Sequence, residues 1–402
     1  MELKDGIVTK TALHGGIAPE LLVIRGGDGI WLEDVAGRKY LDFAGGIAVN
    51  ALGYGREDLA RAAYDQMKKL PHISNLFATE PALALAEKLS ASGPYAAAFF
   101  GNSGTEANEA ALKYARLYAH RTRGPGHEKL LCFSGAFHGR TMGALSCTPT
   151  PKYQDPYLPL IPGVVVAPYN DPAALEKVLD GSFAGVITEV IQGEGGLTCM
   201  SREFAQALNG LCRRHDVLLI VDEVQTGLGR TGTLYAHQGI GLVPDILTLA
   251  KPLGGGLPLS AALIPEKVNK LLHVGDHGTT FGGGPVTTAV ALKVWDQVSR
   301  PDFLASVAAR GERLAARLAG MKKRCPQVGA LKGRGLLQGF EYRTKGNLAE
   351  ELKALMARFQ EAGILVLRAG ENVIRIAPPL VITDAEIDKG VDILERVLSA
   401  KA

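Results

Sequence analysis

Lys251 ends the apolar run 246–250 and is followed at once by Pro-Leu-Gly-Gly-Gly. A lysine at the end of a buried strand is partly desolvated, which lowers its pKa and frees the amine to form a Schiff base with a carbonyl. The plain alternative is a lysine whose stem packs on apolar surface while its ammonium reaches water. Asp222 ends a second apolar run, in Val221-Asp-Glu-Val-Gln-Thr226. A carboxylate there must be paired to be tolerated. A protonated pyridine nitrogen is a fitting partner and would make the ring an electron sink; an Asp that merely caps the next turn explains the same residue without chemistry. The third segment, Gly101-Asn-Ser-Gly-Thr-Glu106, joins a strand end to an Ala-rich helix expected to reach about His120. Unpaired amides at a helix start bind anions such as phosphate, whereas a simple turn with Thr105 as N-cap is the bland reading. Each segment alone is ambiguous. Their occurrence together, in the order cradle, Asp, Lys, points to one site.

Such a site needs strands to aim it. Residues 96–100, 130–134, 164–167, 185–190, 217–224 and 246–250 are short apolar runs separated by helical patterns, the signature of parallel strands covered on both faces. Ligands collect at the carboxyl ends of such strands, and the polar and glycine-rich segments 101–105, 135–140, 192–196, 222–226 and Lys251 all fall there. From about residue 286 the pattern changes to amphipathic helices (286–319, 348–362) with short strands at 335–341 and 373–376, which reads as a smaller α+β domain. Residues 29–43 read as a hairpin turning at Ala36 and Gly37, packed on that domain. The expected division is 1–55, an N-terminal segment joined to the small domain; 56–285, the large domain; and 286–402, the small domain.

The 402 residues are 47% apolar and 21% charged, with 44 Lys and Arg against 41 Asp and Glu. That balance is that of a folded enzyme, and without a basic run it gives nucleic acid no footprint. The amino terminus has no apolar core of a signal peptide and no run is long enough to span a bilayer, so neither membrane nor export is expected and the protein is placed in the cytoplasm. Five cysteines, odd in number and without CxxC spacing, suggest neither disulfides nor zinc. His273 and His277 have a metal-binding i, i+4 spacing, but Gly275 and Gly278 oppose a helix there, and no metal is expected. Gly227-Leu-Gly-Arg-Thr-Gly232 matches a dinucleotide fingerprint, but it comes late in the sheet and no amphipathic helix follows. Gly101-Asn-Ser-Gly lacks the second glycine of a nucleophile elbow at the right spacing.

The chain resembles the class III aminotransferases of fold type I, and within them the acetylornithine aminotransferases of arginine biosynthesis. The resemblance runs nearly end to end. It is carried by DFAGGIAVNALG (42–53), SNLFATEP (74–81), NSGTEANEAALK (102–113), FHGRT (137–141), QGEGG, DEVQTGLGRTG, AKPLGGGLP and NVIRIAPPL (372–380). It implies an α/β fold, a large, mainly parallel seven-stranded sheet with helices on both faces plus the smaller α+β domain, and pyridoxal 5′-phosphate as cofactor. Lys251 would hold the cofactor and act as general base, Asp222 would hold the pyridinium proton, Gln225 would approach the phenolic oxygen, and Phe137 would stack on the ring. Ser103, Gly104 and Thr105 would receive the phosphate, the last two through backbone amides. Thr280 would reach it from a neighbouring subunit, which implies a homodimer with shared sites. Arg375 would grip an α-carboxylate and Arg140 a second carboxylate. Glu194 would cover Arg375 when the donor is an ornithine derivative.

The activity so implied is ping-pong exchange of an amino group between glutamate/2-oxoglutarate and N-acetylornithine/N-acetylglutamate 5-semialdehyde. Ornithine, succinylornithine, 4-aminobutyrate and other ω-amine transaminases share the motifs and remain alternatives. An aminomutase would need the same Lys and Asp but not two carboxylate-binding arginines. Two positions depart from the family pattern: Ile17 stands where relatives often have a Tyr, and Gly284 where an Asn is common.

Overall fold

The runs of Val, Ile and Leu do form strands covered on both faces. The computed structural model describes residues 21–400 together with the strands Glu2–Lys4 and Ile7–Lys10; Ile17 lies outside the described residues. Seven strands make the central sheet: β1 (Ala97–Gly101), β2 (Lys129–Phe133), β3 (Val164–Ala167), β4 (Phe183–Glu189), β5 (Leu218–Asp222), β6 (Ile246–Leu249) and β7 (Ser260–Ile264). Their order is β1-β7-β6-β5-β4-β2-β3. All pairs are parallel except the two made by β7, which runs against β6 and β1. Every residue of β4, β5, β6 and β7 is buried, as strands with helices on both sides must be. Six of the seven coincide with the apolar runs of the sequence. The seventh, β7, has no such run, because Ser-Ala-Ala-Leu-Ile is short and rich in small residues and lies just after a glycine turn.

The parallel register sets the site. Glu189, Asp222 and Thr248 are in-register neighbours on β4, β5 and β6, so three strand ends stop in one row. Helix Gly104–Arg123 follows β1 and packs its Ala-rich face on the sheet. It runs one turn beyond His120 to Gly124, whose positive φ of 80° ends it.

The second core gathers Ile30, Leu41 and Phe43 with apolar residues from Val307 to Leu398. The amino-terminal hairpin therefore belongs to the same core as the carboxyl-terminal third. Its strands Trp31–Asp34 and Lys39–Asp42 pair antiparallel, and the second pairs with Ile364–Leu365. Gly37 (φ 83°) sits at the turn. A four-stranded antiparallel sheet carries β8 (Val328–Arg334), β9 (Leu337–Tyr342), β10 (Leu367–Ala369) and β11 (Val373–Ile376) in the order β8-β9-β11-β10. The stretch read as one helix over 286–319 is two, Pro285–Val298 and Pro301–Arg324. Pro301 cannot donate a backbone hydrogen bond and forces Arg300 out of helical geometry. The first of the two buries Val290, Ala291, Val294 and Val298 in the large core, so packing carries the larger body past residue 285.

The fingerprint-like Gly227–Gly232 is a packing device. A side chain at Gly232 would meet Ala308 Cβ at 2.9 Å. Arg230 between the glycines is fully buried, donates to the carbonyls of Leu336 (3.0 Å) and Pro378, and is pushed down to about 9 by that burial. His277 Nδ1 lies 2.8 Å from Lys113 Nζ in a turn, with its ring 4.5 Å from that of Phe99. No helix among the described residues is long and apolar enough to cross a membrane.

Candidate active site

A cavity of about 510 Å³ opens at the carboxyl ends of β1, β2, β4, β5 and β6. Lys251, two residues past β6, lines it and is exposed only in part, where it meets the open space. Burial depresses the pKa of its amine; the nearby Asp222 opposes that shift and Arg375 adds to it. A neutral amine at a lower pH than an ordinary lysine follows, as the strand-end argument requires.

Asp222 is buried, and its neighbours explain how. Oδ2 accepts from Asn108 Nδ2 and His138 Nδ1, both at 2.8 Å, and Oδ1 accepts from the Val224 amide at 3.0 Å. The turn-capping alternative is thus also true of this residue. A carboxylate has about four lone-pair positions, and three are filled, so one is left over at a residue that lines the cavity. Burial opposes a charge on His138, but the Asp222 bond and charge outweigh it and hold the imidazole above its usual pKa. Asn108 is fixed in turn by Thr248 Oγ1 at 2.8 Å. The adjacent Glu223 turns away and accepts from the amides of Ala236 and His237.

Helix Gly104–Arg123 starts at the cavity edge. Ser103 is its N-cap and donates to Glu106 at 3.1 Å; it does not line the cavity, and the N-cap is not Thr105. Gly104 and Thr105 do line it, and their first-turn amides precede any carbonyl of their own helix. A side chain at Gly104 would meet Val224 Cγ1 at 2.6 Å, so only glycine lets the helix start come this close. Phe137 and Val224 both face the space, and Gln225 borders it with its Oε1 buried and unpartnered. Thr280 is exposed and outside this cavity.

The two arginines differ. Arg375, on β11, is 3% exposed and donates to Glu194 Oε1 at 2.6 Å and to the Gly193 carbonyl at 3.0 Å. Arg140 is exposed at the cavity wall, its guanidinium carbon 3.8 Å from the Tyr153 ring centroid, and forms no ion pair among the described residues. Glu194 also borders a larger basin of about 890 Å³ that shares Phe137 and Tyr153 with the first. Among the lining residues given no role from the sequence are Asn108, His138, Tyr153, Glu189 and Val224. Asn108, His138 and Val224 sat inside quoted motifs, so their signal was available. Glu189 shows its place only through register.

The family described as aminotransferase class III matches residues 15–398. The chain belongs to that family. It is 44% identical over 375 residues to the acetylornithine aminotransferase of Pseudomonas putida, covering 93% of this chain and 91% of that one. It is 44% identical to the succinylornithine transaminase of Salmonella typhimurium, covering 91% and 89%. An ornithine aminotransferase structure from Toxoplasma gondii, described with pyridoxal phosphate at its active site, superposes with a TM-score of 0.91 at 31% identity, covering 96% and 92%. Aminotransferases of this class depend on pyridoxal 5′-phosphate, and the residues present fit it. Asp222 lines the cavity as a buried carboxylate, Gly104 at the helix start has no side chain to block a phosphate, and the Gln225 side-chain amide makes no hydrogen bond among the described residues, which leaves its Nε2 free to donate to a phenolic oxygen.

Proposed function

We propose that this aminotransferase interconverts N-acetylornithine plus 2-oxoglutarate with N-acetylglutamate 5-semialdehyde plus glutamate. The observation that carries the reading is the unequal pair of arginines. Arg375 is covered by Glu194 while Arg140 stands uncovered at the same cavity. A dicarboxylate such as glutamate needs two cations. An acylated ornithine has one carboxylate and needs the second cation hidden, which Glu194 does.

When bound, the cofactor supplies an electron sink. Lys251 Nζ, whose pKa burial lowers, would hold the cofactor and take the proton from the carbon bearing the reacting amine. Asp222 would hold the proton on the ring nitrogen, with His138 and Asn108 fixing its carboxylate. Phe137 and Val224 would cover the ring, Gln225 would meet its phenolic oxygen, and Gly104 and Thr105 would receive the phosphate, with Ser103 behind them as the helix N-cap. Within this reading residues 56–285 form the cofactor domain, 286–402 the small domain, and 1–55 the segment joined to it, with helix Pro285–Val298 as the connecting piece seated on the larger core. A homodimer completes the site, each Thr280 serving its neighbour. Five free cysteines suit a reducing compartment such as the cytoplasm.

The test is a single-turnover titration of the visible cofactor band with each donor in turn. Glutamate and N-acetylornithine should bleach it fast, ornithine and 4-aminobutyrate much more slowly. A preference for the unacylated amine would move the protein to another substrate within the class. Lys251→Ala should lose at least about 100-fold in turnover, and near-normal turnover by that variant would sink the mechanism.

A further inference from the structure

Glu189 is the one buried acid of the cavity wall that the mechanism above leaves unused. It ends β4 beside Asp222, and each of its oxygens serves a different loop. Oε2 accepts from the Phe137 amide at 3.1 Å, and Oε1 from the Gly193 amide at 3.2 Å. The carbonyl of the same Gly193 takes the Arg375 guanidinium, and the next residue, Glu194, is its ionic partner. Gly193 also lies against the Gln225 side-chain amide, so this loop touches the residue proposed to meet the phenolic oxygen.

We propose that Glu189 is a positioning residue that ties the Phe137 turn to the Gly193-Glu194 turn, so that the face covering the cofactor ring and the Glu194–Arg375 gate are held as one unit. Its effect on turnover rests on the transaminase reading. The tie itself does not. Both bonds need acceptor oxygens, and an ionised carboxylate supplies two, whereas a protonated one turns one of them into a donor. Burial raises the Glu189 pKa to about 7; His138 opposes that shift and Asp222 reinforces it. Lys251 is the further titratable group that feels Glu189, and Tyr169 donates to the backbone carbonyl of Glu189. The tie is complete above that pH and slackens below it.

Hydrogen exchange of the holoenzyme reads the tie directly. Loss of one bond to a charged acceptor corresponds to about a 10- to 100-fold change, so Glu189→Gln, which keeps the shape but offers a single acceptor oxygen, should speed exchange at both 135–141 and 192–196. The same variant should lower kcat/KM for glutamate and lose the acid limb near pH 7, staying at the wild-type low-pH level throughout. Glu189→Asp, still charged but shorter, should keep the limb. If Glu189→Gln does not fold, wild-type exchange measured from about pH 6 to about pH 8.5 gives the same answer, because protection of the two segments must fall together as the carboxyl gains its proton. Exchange that changes in one segment only, or in neither, overturns the proposal. Exchange does not depend on which amino donor is used, so a failure here is separate from a failure of the substrate assignment.

Discussion

Arg375 is nearly buried and Glu194 is half-exposed at the cavity, so the ion pair between them is guarded on one side and open on the other. Leaving a buried guanidinium without its acid is costly, but here the substrate carboxylate is a ready replacement. Glu194→Gln should therefore favour glutamate over the acylated amine, raising the ratio of the two kcat/KM values by about 10- to 100-fold through a lower KM for glutamate. Half-reaction kinetics with each donor check this, and an unchanged ratio would mean that Glu194 does not gate Arg375. At this scale the sequence was most legible where one residue carries its own context. Lys251 and Asp222 stand at the ends of apolar runs, which makes them conspicuous. Glu189 stands at such an end too, but its meaning lies in amides contributed by residues 137 and 193, and nothing local announces them.

At the scale of elements, the approach of helix Gly104–Arg123 to Val224 depends on a missing methyl group. Gly104→Ala would place Cβ 2.6 Å from Val224 Cγ1, and relieving that overlap costs about 1–3 kcal/mol. The helix start would withdraw from the cavity. Cofactor affinity should fall by about 10-fold or more at a modest loss of melting temperature, measured by equilibrium dialysis and calorimetry. Unaltered affinity would show that the helix start is not the phosphate cradle. Strands of branched apolar residues were readable because burial on both faces favours that composition. β7 was not, since it is built from Ser, Ala and Leu and its neighbours are set by a reversal of direction that no run of residues encodes. The join of two helices at Pro301 could have been read from the proline itself.

At the scale of the whole molecule, several large apolar side chains among the described residues are exposed. Ile73, Leu76, Phe77 and Phe281 are exposed around a cleft of about 260 Å³ bounded by residues 72–79 and 282–285, close in sequence to Thr280. Exposed apolar side chains grouped about one cleft suit a protein–protein contact, and the homodimer reading puts a second copy there. Phe77→Asp should yield a monomer in sedimentation at micromolar concentration, with cofactor binding weakened because each site loses the partner's contribution. A dimer that survives the substitution with unchanged cofactor affinity would place the interface elsewhere.

The reversed strand β7 has a consequence in time as well as space. It lies between β6 and β1, and it is the last of the seven to be synthesised although it sits beside the first. The glycine cradle after β1 and the lysine after β6 belong to strands that touch only through β7. While the chain is still emerging from the ribosome, every residue proposed to hold the cofactor up to Lys251 can be present with no place to hold it. The binding site comes into being late, when residues 260–264 slot into the gap left for them, and until then the unfilled edges of β1 and β6 are the parts of the growing protein most exposed to wrong partners.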